Sequence, residues 1–247
     1  MRIGWIRRRP GRQIARMGTM RWPTDPPGLE ALQQELADLR PQPWKPSVGV
    51  TTGGCFVCFG RGGEGSGAAD DRGWAAAVVM EWRRLVASSE IVSEAGASYL
   101  PGLLAAREGE LLESAVRALP RLPDVLLVNA TGRDHPRRAG LALHIGWVLD
   151  LPTVGVTHRP LVASGDQPAP KAGSRAPLWI DGEQVGWWLR TRSQARPVAV
   201  SPGWRTGLDT VLEVVKIAGA RARTPEPIRQ ARRLARSARS RDRAPDG

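Results

Sequence analysis

Hydrophobic positions along the chain switch between a helical and a strand period several times. Leu29, Leu32, Leu36 and Leu39 recur at helical spacing behind the turn-rich WPTDPP, which predicts a short helix ending before Pro41. Three apolar runs follow, VGVTTGGCFVCF, AAAVVMEW and RLVASSEIV, and read as strands of a meander; GRGGEGSGAADDRG between the first two reads as a flexible loop. Leu104, Leu112, Ala115 and Leu119 then form one stripe of a helix over 103–119, with Leu111 beside it and Glu110, Glu113 and Arg117 on the polar side. Glu108 falls on the stripe. A carboxylate there is costly unless paired, hydrogen-bonded or bound to a metal, so periodicity alone marks it as a functional candidate; the alternative is an acid at the rim that reaches solvent.

PDVLLV at 123–128 has no polar alternation and reads as a buried strand. Pro136 suits the first turn of a helix that carries Leu141, Ile145, Val148 and Leu149, and PTVGV reads as a further buried strand. Strand, helix and strand in this order indicate a parallel βαβ unit, and so an α/β domain. A loop-like stretch over 160–177 precedes PLWIDGEQVGWWLRT, a hairpin turning at Asp181 and Gly182. PVAVSPGW supplies a last strand, followed by a helix at about 206–219 and an Arg-rich helix that frays toward the C-terminus.

Charge divides the chain. The net charge is +12, of which residues 1–21 carry +7 and residues 221–247 carry +6, leaving −1 for residues 22–220. This implies a central domain with a basic N-terminal arm and an Arg-rich C-terminal segment, both suited to nucleic acid through counterion release. Arginine makes up 33 of the 36 basic residues, a bias that genome composition also produces. Met17 and Met20 leave open a later translation start that would remove residues 1–19. Cys55 and Cys58 form a lone C-x2-C, remote from His135, His144 and His158, and read as reduced thiols in a strand. Apolar runs stay short of the roughly 18 residues of a membrane span, and the basic start lacks a secretory core; a cytoplasmic location follows as the expectation.

The loop LLVNATGRDHP leaves a strand at the carboxyl end, where open α/β sheets collect ligands, yet carries Asn129 where a carboxylate would suit. Arg137 and Arg138, placed in the first helical turn, read either as a phosphate clamp using the free amides there or as solvated surface arginines. His144 shares the apolar face with Leu141 and Val148 and reads as a satisfied core histidine.

YLPGLLAARE, PDVLLVNATGRDHPRRAGLALHIGWVLDLPTVGVTHR and PVAVSPGWR, in this order and spacing, resemble the endonuclease V family over roughly residues 22–230. The resemblance implies an RNase H-like fold: a mixed sheet of an antiparallel meander plus parallel βαβ strands, flanked by helices. It implies cleavage of DNA or RNA near inosine with Mg²⁺ or Mn²⁺, by a protein expected to be monomeric. It also implies that Tyr99, Leu100, Pro101 and Gly102 form a wedge that fills the gap left by an extruded base, with Gly132, Arg137 and Arg138 as further nucleic-acid contacts. At the catalytic positions the match fails: Thr51 and Asn129 stand where the family has aspartates, His158 stands for a lysine and Trp204 for a histidine. Glu108 and His135 persist, and Asp134 is a candidate substitute ligand beside Glu108.

Two lost carboxylates leave Glu108 to bind the ion alone, and Mg²⁺ sites ordinarily use one or two. The leading expectation is therefore a family member that keeps fold and nucleic-acid surface but has little or no metal-dependent cleavage. An active nuclease with a site rearranged around Glu108, His135, Asp134 and His158 is the second reading. The third is a protein-interaction module that uses surface tryptophans such as Trp187 and Trp188.

Overall fold

The computed structural model describes residues 21–60, 67–219 and 222–242. The basic N-terminal arm before Arg21 and the glycine-rich segment 61–66 lie outside the described residues. Among the described residues, eight strands form one sheet in the order β3-β2-β1-β4-β5-β8-β7-β6. β1 (Thr51–Phe59), β2 (Arg72–Glu81) and β3 (Arg84–Glu94) make the antiparallel meander. β4 (Val125–Val128) and β5 (Thr153–Thr157) run parallel to β1 at its other side, and β8 (Val198–Pro202), β7 (Glu183–Leu189) and β6 (Arg175–Ile180) complete the sheet antiparallel. The mixed sheet of the RNase H-like expectation is thus present, flanked by five helices among the described residues.

Strand periodicity sorts the core onto two faces. Leu126 and Val128 of β4 pack with Cys55, Val57 and the helices α2 (Leu104–Arg117) and α3 (Leu141–Leu149) on one side. Val125 and Leu127 pack on the other with α4 (Leu208–Ala218) and with Ile228 of α5 (Glu226–Asp242). Both faces of β4 are covered, which explains its unbroken apolar run. The first helix, α1 (Pro26–Asp38), begins three residues earlier than its leucine spacing shows, because the Asp25 side chain accepts from Gly28 N at 2.8 Å.

Three expectations are corrected by the fold, and the reading of His144 is kept. α3 starts at Leu141, not at Pro136, so Arg137 and Arg138 stand in a preceding turn where Arg138 adopts φ 57°. Glu113 is buried rather than solvated: it accepts from Trp22 Nε1 at 2.6 Å, Arg117 Nε at 2.7 Å and Arg21 Nη1 at 3.0 Å, because residues 21–22 cross that flank of α2. Trp22 also stacks on His144, whose Nε2 donates to Arg21 O at 2.7 Å, so His144 is the core histidine its helical position indicates. Trp188 is buried and Trp187 lies against α4, donating to Leu208 O at 3.0 Å, which removes both as a docking surface.

Within the Arg-rich C-terminal segment, α5 packs one face against the core. Ala231, Ala235 and Ala238 form a small-residue seam that lets α5 lie close over β1 and β2. Gly54 completes the fit, since a Cβ there would stand 2.3 Å from the Pro227 carbonyl carbon. Gly54→Ala is expected to push α5 off the sheet and cost about 1–3 kcal/mol, the usual range for overpacking, measured as a lowered midpoint in urea unfolding.

Candidate nucleic-acid and catalytic site

The register of β1 against β4 sets Cys55 opposite Val128 and so brings Phe56 level with Asn129. A cavity of about 240 Å³ opens here, lined by Cys55, Phe56, Val57 and Asn129 from the sheet side and by Leu104, Glu108 and Leu112 from α2. Glu108 and Asn129 are therefore brought together. Thr51 is not. It begins β1 at the opposite end, where its hydroxyl and amide both donate to Asp124 Oδ2 at 2.7 Å. Parallel strands start together, so the first residue of β1 cannot meet the last of β4; the β1 position facing the site is Phe56.

Arg232 is the residue that sequence reading missed. Its Nη2 donates to Asn129 Oδ1 at 3.2 Å, and its guanidinium lies 5.0 Å from the centroid of the Phe56 ring. The signal was available: Ala231, Ala235 and Ala238 mark the buried face of α5, and Arg232 flanks it. His158 follows β5 at the same sheet edge and pairs through Nε2 with Thr224 Oγ1 at 2.9 Å. Burial, then Arg223 and Arg232, holds its imidazole below the usual histidine range, so it adds no cation at neutral pH.

The remaining sequence candidates are otherwise engaged. Asp134 accepts the backbone amides of Leu161, Val162 and Ala163 at 2.7, 3.1 and 2.8 Å, so it is a buried loop anchor and not a substitute ligand. Trp204 is buried among Leu32, Leu143 and Trp147 and donates to Asp150 at 3.2 Å, which places it in the core with no face to offer a base. Gly132 is packed under β8, where a Cβ would stand 2.0 Å from Pro202 O, so its role is close backbone approach rather than ligand contact. Arg138 spans Asp181 and Glu183 at 3.2 and 3.3 Å. Arg137 binds Gln33 Oε1 at 2.7 Å and Glu30 at 3.3 Å, so neither arginine is a free phosphate clamp.

His135 acts as a strut. Its Nδ1 accepts from Arg137 N at 3.2 Å and its Nε2 donates to Gly102 O at 2.9 Å, an arrangement that requires the neutral ring. Burial pushes its pKa down to about 4, consistent with that state. Gly102 O also accepts from Gln33 Nε2 at 3.2 Å and Arg137 Nη2 at 3.4 Å, which pins the YLPG segment to α1 and to the turn after β4. Tyr99 and Leu100 stay exposed at 40% and 46%. Beneath them a second cavity of about 190 Å³ is lined by Tyr99, Gly102, Asn129, His135, Leu141 and Leu161 among others.

The donors around Glu108 do not fit a divalent metal. One carboxylate is present, the Asn129 oxygen is engaged by a guanidinium, and Phe56 offers none. Among the described residues no group of three or more His, Cys, Asp and Glu could hold an ion. A divalent cation at about 5 Å from a guanidinium would be repelled by on the order of 7 kcal/mol at an effective dielectric of about 20. Burial raises the Glu108 pKa from 4.5 to about 7, opposed only by Arg107, so the carboxyl is substantially protonated at neutrality.

The folded state thus holds its Glu108 proton more tightly than the unfolded chain does. This destabilises the protein progressively as pH rises from 4.5 to about 7. Glu108→Gln is expected to match the wild type in acid and to exceed its stability above neutrality, measured by urea denaturation on both sides of that window.

Comparison with known proteins bears on the family and the fold. The family model described as Endonuclease V matches residues 63–233, beginning after β1. Endonuclease V of Azotobacter vinelandii is 37% identical over 219 residues, covering 87% of this chain and 95% of that protein. The crystal structure of Endonuclease V from Streptomyces avermitilis superposes with a TM-score of 0.80 at 35% identity, covering 90% of this chain and 96% of that one. Ciona intestinalis Endonuclease V, crystallised with a 24mer DNA containing an inosine followed by a ribo-adenosine, shares the fold at a TM-score of 0.71 and 21% identity, over 86% and 96% of the two chains. With the YLPG segment, the HPRR turn and the mixed sheet in place, the chain belongs to the endonuclease V family.

Proposed function

We propose that this chain is an inosine-directed nucleic-acid-binding member of the family in which metal-dependent cleavage is lost or strongly reduced. The observation that carries the reading is that Glu108 shares its cavity with Phe56 and Asn129, an apolar ring and an amide, and that the cation Arg232 is bonded to Asn129 and packed on Phe56. Mg²⁺ and Mn²⁺ serve nucleases of this kind by generating hydroxide and stabilising the leaving oxygen. Groups that act together in such a centre fail together, so Glu108 alone does not sustain that chemistry.

Binding has better support. The exposed Tyr99 lines the smaller cavity with Leu100 exposed beside it, in a segment held by the three hydrogen bonds at Gly102 O. A wedge so fixed can occupy the gap in a base stack while the displaced base enters the cavity below. The Ciona relative crystallised with inosine-containing DNA supports inosine as the base, in DNA or RNA. The rearranged-nuclease reading has less, because Asp134, His135 and His158 are each committed to other partners.

Incubation of inosine-containing DNA and RNA with Mg²⁺ or Mn²⁺ is expected to leave the strands intact. Robust nicking that Glu108→Ala abolishes would overturn the reading. Calorimetry on the triple variant Phe56→Asp, Asn129→Asp, Arg232→Ser is expected to show Mn²⁺ binding that the wild type lacks. Tyr99→Ala removes a stacking platform worth about 1–3 kcal/mol per base, so affinity for an inosine-containing oligonucleotide is expected to fall roughly 5- to 150-fold in a fluorescence titration.

A further inference from the structure

A cation stands in this centre although the donors of a metal site do not. Arg232 is carried there by α5, and three features make it more than a filler. Its bond to Asn129 orients the guanidinium through a neutral acceptor and leaves its charge uncompensated. Its Nε is buried without a hydrogen-bond partner among the described residues, so the guanidinium's bonding is incomplete as it stands. The Phe56 ring supports it from one side, a packing that suits a planar guanidinium.

The neighbouring surface extends the same chemistry. A groove of about 690 Å³ runs along α5, lined by Arg229, Arg232, Arg233, Arg236 and Arg241 with serines between them. Arg229 is paired with Glu226 at 2.8 Å and Arg241 with Glu90. Arg233 and Arg236 are exposed and form no ion pair among the described residues. Burial, and then the charge of Arg236, disfavour the charged form of Arg232, a tension that a bound anion relieves.

We propose that Arg232 binds a nucleic-acid backbone phosphate directly at this centre, with Arg233 and Arg236 receiving the phosphates that follow, so that a fixed guanidinium replaces a metal ion as the anchor. Planar guanidinium donors match phosphate oxygens. Asn129 serves as a positioning residue: an aspartate there would form an ion pair with Arg232 and compete with the phosphate. The inference rests on the nucleic-acid-binding part of the reading above and is independent of inosine recognition.

The test is fluorescence anisotropy on the full chain with labelled duplexes, one containing inosine and one containing adenine at the same position, in excess EDTA and in Mg²⁺. Wild-type binding is expected to persist in EDTA. Arg232→Gln is expected to weaken both duplexes about tenfold or more and to reduce the slope of log K against log salt by about 1. Asn129→Asp, nearly isosteric, is expected to weaken binding in EDTA, and it decides the question if circular dichroism shows that Arg232→Gln does not fold. Unchanged affinity in a folded Arg232→Gln, in Asn129→Asp, or loss of wild-type binding in EDTA would overturn the proposal. Equal wild-type affinity for the two duplexes, with the Arg232 effect retained, would refute inosine recognition alone and uphold the phosphate contact.

Discussion

The parallel register of β1 against β4, with Cys55 opposite Val128, sets where the chemistry-bearing side chains of this protein stand. It places Asn129 level with Phe56 and over Glu108, and sends Thr51 to the far end of the sheet beside Asp124. The register holds because Leu126 and Val128 face α2 and α3 while Val125 and Leu127 face α4 and α5, so a slip by one residue would exchange both sets. The two helical layers therefore hold the site as well as the core.

From that constraint follows an unusual charge distribution. A nuclease centre built on carboxylates concentrates negative charge that a divalent cation neutralises. Here the single carboxyl lining the cavity is pushed toward its neutral form by burial, and two of the cavity's other lining residues, Asn129 and Phe56, carry the guanidinium of Arg232. The close seat of α5, permitted by Gly54 and the alanine seam, is what brings that arginine to the strand ends. A centre of this polarity favours an anion over a cation.

The YLPG side of the site is organised differently, around one carbonyl oxygen. Gly102 O takes hydrogen bonds from Gln33 of α1 and from His135 and Arg137 of the turn after β4. Those bonds tie three distant stretches of chain together and leave Tyr99 and Leu100 projecting. His135 enters this arrangement as a neutral strut, accepting at Nδ1 and donating at Nε2.

Hydrophobic periodicity alone was enough to read the meander, the βαβ unit, the amphipathic α2 and the odd placement of Glu108, because each depends on local alternation or a local stripe. It also read Asn129 as a strand-end residue and His144 as core. What it could not read was level across the sheet. TTGGCF presents no mark of which residue meets Asn129, since that depends on which part of β1 the neighbouring strand pairs with. The same reason hid Arg232, far along the chain in a segment that charge alone describes as a basic tail, and made Asp134 look available. Sequence determined the elements and the candidate residue types; only packing between layers decided which of them share one cavity, because that is a property of contacts distant in the chain.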